Sequence, residues 1–190
     1  MALPKLETKT YTLTLPSTGK EIKYRPFLVK EQKTLLMAQE SDNNGEVLDA
    51  MSQLINDCTF SKVNPKTCPM FDAEYIFLKL RANSVNDVAK FKIPDEETKK
   101  DVDIELDLKD VEIYRPEGHN SLIDVGDNVK LQMSYPTYDA LEKFGEGQET
   151  AKATFDMIKV CIDQVLVGED EVHQFKDYSE KEVDTFVESL

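Results

Sequence analysis

The stretch Thr8–Glu40, TKTYTLTLPSTGKEIKYRPFLVKEQKTLLMAQE, decides how the fold begins. Tyr11, Leu13 and Leu15 alternate with polar residues, and Ile22 and Tyr24 do so again, the period of half-buried strands. Between them, Pro16-Ser17-Thr18-Gly19-Lys20 holds the glycine that a short hairpin loop needs at a positive-φ position. Pro26 cannot donate to a ladder, so it ends the second strand and a helix begins just after it. The reading is a β-hairpin delivered onto a helix over Val29–Gln39, with Leu28, Leu35 and Leu36 facing inward. Ser17 and Thr18 are turn residues here, not nucleophiles.

Beyond it, Ser41–Gly45 reads as a turn and Glu46–Cys58 as a second helix, with Val47, Leu48, Met51, Leu54, Ile55 and Cys58 on one face. A third helix starts near Asp72, expected as its cap, and carries Ala73, Ile76, Phe77 and Leu80 on one side. Tyr75, Leu78 and Ala82 give it a second apolar side, so it is expected to be the most buried of the three. The period then switches to two at Ala89, Phe91 and Ile93, and at Val102, Ile104, Leu106 and Leu108. Pro94–Lys100 would join these as a hairpin loop, and two further short strands flank Gly126-Asp127-Asn128. Residues 84–135 are read as one small antiparallel sheet with an apolar face and a carboxylate-rich face. Thr137–Phe144 reads as a short helix, and Gln148–Val167 as a long one stopped by Gly168. Ser179-Glu-Lys-Glu182 is a capping box opening a last helix, whose Val183, Phe186, Val187 and Leu190 share a face. Since the chain stops mid-stripe, that face is expected to meet a partner, or the natural chain to continue. The fold class is α+β: an N-terminal β-hairpin on a helical core, a small antiparallel β insertion and C-terminal helices. The domains expected are 1–83, 84–135 and 136–190, the last packing on the first.

A net charge of -14 over 190 residues argues against nucleic acid and against an anionic membrane surface, both of which need clustered Lys and Arg. The charge is uneven. Residues 1–36 hold seven Lys/Arg against three Glu, a net of +4; residues 95–112 and 168–190 each come to -6. Either these are solvated faces, or the chain has a basic docking end and acidic shielding surfaces. Met1-Ala-Leu-Pro-Lys5 runs into polar sequence with no apolar core of a secretory signal, and three cysteines are an odd, widely spaced set, so reduced thiols are expected. No run approaches the roughly 18 apolar residues that span a bilayer.

Each candidate for chemistry has a plainer reading. Cys58 and Cys68 lack the spacing of a zinc knuckle, and Cys58 and Cys161 sit on or beside apolar helix faces as core thiols. Asp101, Asp103, Glu105 and Asp107 alternate with apolar residues, which is a strand with its carboxylates in water rather than a calcium loop. Gly145-Glu-Gly147-Gln-Glu-Thr150 lacks a third glycine and a preceding strand, so a linker is expected and not a dinucleotide site. His119, in Arg115-Pro-Glu-Gly-His-Asn120, has no nucleophile or metal set beside it and reads as a loop that fixes the sheet or docks a partner. Arg25-Pro-Phe27 is either a core junction, with Phe27 buried and Lys30 in solvent, or part of an interface with Tyr24. No catalytic residue, cofactor or metal ligand is assigned. The partner-binding candidates are Tyr24, Arg25, Phe27, Val183, Phe186, Val187 and Leu190.

The opening run LTLPSTGKEIKYRPFLVKE, the segment FDAEYIFLKLRANSV at Phe71–Val85 and YRPEGHN at Tyr114–Asn120 resemble the T4-like bacteriophage baseplate hub assembly family. The resemblance covers most of the chain, strongest before Val85 and weaker from Gly145 onward. It implies a non-enzymatic tail morphogenesis protein that binds other baseplate hub proteins or the tape-measure protein. Such a protein would work in the host cytoplasm as an assembly factor or chaperone, or remain in the virion baseplate as a structural subunit. A metal-dependent hydrolase is the remote alternative from another class.

Overall fold

The computed structural model describes residues 8–41, 43–95, 100–141, 150–168 and 170–190. The α+β class is found as expected, with an N-terminal hairpin, helices, small antiparallel sheets and C-terminal helices. The chain forms two compact units, Met1–Ile113 and Tyr114–Leu190.

In the first unit, β1 (Tyr11–Thr14) pairs antiparallel with β2 (Glu21–Tyr24), Tyr11 opposite Tyr24 and Leu13 opposite Ile22. Gly19 takes φ 70° in the loop, as anticipated, and Leu13, Leu15, Ile22 and Tyr24 are buried. Three helices follow: α1 (Val29–Glu40), α2 (Asn44–Cys58) and α3 (Met70–Ser84). The α2 stripe is confirmed, with Leu54, Ile55 and Cys58 at 3%, 0% and 0% exposure. Asn43 caps α2 by accepting from the N–H groups of Gly45 and Glu46. On α3 only Glu74 and Arg81 are exposed, so this helix is the buried one. Asp72 does not cap it: Pro69 holds that position, and Asp72 lies buried inside the first turn.

The orientation of α1 also departs from expectation. Leu28 and Leu36 are exposed and Leu35 is half-buried, while Glu31 and Ala38 face the interior. The cause is Arg25. It arrives from β2 needing a carboxylate, and Glu31 turns inward to supply it.

The strands β3 (Val88–Pro94) and β4 (Asp101–Asp107) form a two-stranded sheet of their own. The strands β5 (Leu122–Gly126) and β6 (Val129–Met133) instead belong to the second unit, where they make a four-stranded sheet, order β5-β6-β7-β8. Asp127 and Asn128 both have positive φ, the two-residue turn that matches strand twist. The helix read over Gln148–Val167 is corrected here. After α4 (Tyr138–Leu141), α5 covers Thr150–Cys161 and is followed at once by β7 (Ile162–Val167) and β8 (Glu171–His173). A bulge explains the misreading: Leu131 pairs with Val165 but Met133 with Ile162, leaving Asp163 as an extra residue. Ile162 and Val165 therefore share one sheet face at a spacing of three, which mimics a helix. Gly168, at φ 65°, turns the chain between β7 and β8 rather than ending a helix. The readings on residues 142–149, including the glycine pair and the end of the short helix, lie outside the described residues.

Finally α6 (Glu180–Glu188) opens on the expected capping box, in which the Ser179 N–H and hydroxyl both donate to Glu182. Val187 is buried with Leu131, Ile162 and Val165, and Val183, Phe186 and Phe175 pack against that cluster.

Candidate partner-binding surfaces

Tyr24 and Arg25 are held where β2 runs into α1. Tyr24 is 4% exposed, and its hydroxyl accepts from Asn83 Nδ2 at 2.9 Å. Burial, then Tyr11 and Tyr75, push that hydroxyl's pKa up. Arg25 forks onto Glu31, Nη1 to Oε2 at 3.0 Å and Nη2 to Oε1 at 2.8 Å. The Glu31 carboxylate also accepts from the Leu28 N–H at 2.6 Å, at the start of α1. Burial raises the Glu31 pKa, but the Arg25 bond and the Leu28 N–H outweigh it and hold the group below its usual range. Phe27 is half-buried, its N–H donating to Ser84 Oγ at 2.9 Å, and Lys30 is exposed.

From Phe27 onward the surface turns apolar. Leu28 and Val29 are 42% and 83% exposed, and one to two turns on, Leu36 and Met37 are 50% and 59% exposed. Val29, Leu36 and Met37 fall at i, i+7 and i+8 on the outer face of α1, with exposed Lys33 and Glu40 between them and Lys30 at the edge. This face was missed in the sequence, where the same leucines were read as core.

The terminal helix presents a different situation. Val183 and Phe186, with Val129, Val165, Val167 and Phe175, line a cleft of about 340 Å³ in the second unit, with Glu182, His173 and Tyr178 also on its wall. Val187 sits in the core below, and Leu190 is 53% exposed. Lys159 pairs with Asp156 of its own helix at 2.6 Å and with Asp184 at 2.7 Å, and the second pair ties α6 to α5.

The remaining candidates fall into structural roles. Cys58 is fully buried and burial pushes its thiol up to about 12; Cys68 is pushed up to about 11 by the same cause. All three cysteines are free thiols. His119 pairs with the Tyr135 hydroxyl at 2.8 Å and stacks on its ring, and His173 meets the Tyr178 hydroxyl and Glu171. Among the described residues no group of three or more His, Cys, Asp or Glu is placed to hold a metal ion. Among them, too, no helix is long and apolar enough to cross a membrane.

Two fastenings had no clear signal in the sequence. Asp72 accepts from Ser17, at the N–H (3.0 Å) and the hydroxyl, and so pins the β1–β2 loop to the first turn of α3. Lys79 Nζ donates to the carbonyls of Leu108, Lys109 and Val111 and so fixes the chain leaving β4 onto α3.

The family described as T4 bacteriophage base plate protein matches residues 8–190, which include all of these surfaces. The chain belongs to that family. No curated protein and no solved structure matches it. Membership gives the chain a baseplate-related role in general terms.

Proposed function

We propose that the chain is an assembly factor for the central hub of the phage baseplate, acting by protein–protein binding with no bond made or broken. The observation that carries this reading is the outer face of α1. A helix packed on its own unit turns an ion pair inward and leaves Val29, Leu36 and Met37 in water beside Lys30 and Lys33. Apolar patches rimmed by charge are what protein partners cover. The cleft walled by Val183 and Phe186 gives the second unit an apolar opening of its own. The clients that the family resemblance implies are hub proteins or the tape-measure protein, held in the host cytoplasm until assembly proceeds.

Two substitutions test the binding surface. Val29→Asp with Met37→Asp lowers phage yield by about tenfold or more, the scale of losing one interface hot spot, while the far-UV spectrum stays unchanged. Unchanged yield contradicts the reading. Mass spectrometry of purified virions separates a transient factor from a permanent baseplate subunit. The expected result is peptides well below stoichiometry; a stoichiometric signal would establish the structural subunit.

A further inference from the structure

The sheet β3–β4 has only two strands, and its two faces are chemically unlike. The register sets Ala89 opposite Leu106, Phe91 opposite Ile104 and Ile93 opposite Val102, all on one face. On the other face Lys90 meets Glu105 and Lys92 meets Asp103. Phe91, Ile93, Val102 and Leu106 are 42%, 46%, 47% and 43% exposed, so the apolar side is left partly in water. A lone hairpin is marginal in water and gains by adding a strand.

The two outer edges differ. On β3 the edge is blunted by Pro94, which lacks an N–H, and by Lys90 and Lys92. On β4 there is no proline, and no backbone hydrogen bond joins its outer edge to another element among the described residues. Its guard is electrostatic. Carboxylates at Asp101, Asp103, Glu105 and Asp107 outnumber the two lysines across from them, and residues 88–107 hold four Lys against seven carboxylates, a net of -3. Such an edge repels a copy of itself, and a chain of net charge -14 adds to that repulsion. It admits a strand whose alternate residues are basic, because each then lies beside a carboxylate while the intervening apolar residues extend the Phe91–Ile104 face.

We propose that the outer edge of β4 takes up an extended segment of a partner protein in which basic and apolar residues alternate, added as a third strand. This rests on the binding function proposed above and names the chemistry of one partner segment. The probe is an eight-residue peptide of alternating Lys and Val, titrated against the full chain and compared with a peptide of four Val followed by four Lys. The alternating peptide binds about tenfold or more tighter than the block peptide, and binding protects the outward amides of Asp101, Asp103, Glu105 and Asp107 from hydrogen exchange. Asp103→Asn with Glu105→Gln, which removes two of the four carboxylates beside the incoming strand, weakens it by about tenfold. Equal affinity for the two peptides, indifference to the double substitution, or protection elsewhere in the chain overturns the proposal. So does formation of oligomers through this edge by the chain alone. If the peptide fails while the chain still associates with baseplate proteins, the strand site is refuted and the binding function stands.

Discussion

Arg25 shows how one side chain sets the orientation of a helix. Its partner Glu31 is 8% exposed, so removing the guanidinium leaves a buried carboxylate with the Leu28 N–H and no counter-charge in its place. Arg25→Met is therefore expected to destabilise the chain by about 3 kcal/mol in urea unfolding, the scale of breaking a buried pair. The pair's dependence on pH follows from the lowered Glu31 pKa. Its contribution is complete above the ordinary carboxyl value of 4.5 and is lost as pH falls through the depressed folded value. Wild type and Glu31→Gln should therefore differ at neutral pH and converge once the pH falls below the depressed folded value; a constant gap would show that ionisation of Glu31 is not what matters. A similar argument applies to Asp72, which is 1% exposed and holds Ser17 by two bonds. Ser17→Ala removes one charge-assisted bond and is expected to cost about 2 kcal/mol, read as a lower urea midpoint. Neither pair was legible in advance, because each joins residues whose proximity only the fold creates.

Among elements, those with a clean period and a single job could be read directly: the β1–β2 hairpin, the α2 stripe, the β3–β4 alternation and the Ser179 capping box. The failures have physical causes. In α1 the buried ion pair displaces leucines from the interior, so apolar periodicity pointed to the wrong face. In β7 the bulge at Asp163 puts Ile162 and Val165 at helical spacing on a strand, and a long helix was read through a strand. Two predictions belong at this scale. Lys79→Ala frees the three carbonyls that tie the exit of β4 to α3, so exchange protection of the Leu108 N–H, which donates to Asp87, falls about tenfold or more. Val187→Ala opens a cavity between α6 and the four-stranded sheet, costs about 2 kcal/mol and lowers protection in β6 and β7. If protection there were unchanged, α6 would not be part of that core.

For the whole molecule, the sequence carried the class, the acidic balance and the family resemblance, and the family match over residues 8–190 agrees with the last at the level of a baseplate family. The apolar faces were less legible, because a residue such as Leu36 or Phe91 looks the same in sequence whether it is buried or exposed. The account holds that these faces exist to be covered by other proteins of the baseplate. Sedimentation of extracts from infected cells, with the chain followed by quantitative mass spectrometry, tests that most directly. The account predicts that the chain travels with baseplate proteins in particles well above its own 21.7 kDa. Recovery of all of it as a free monomer throughout infection would contradict the account.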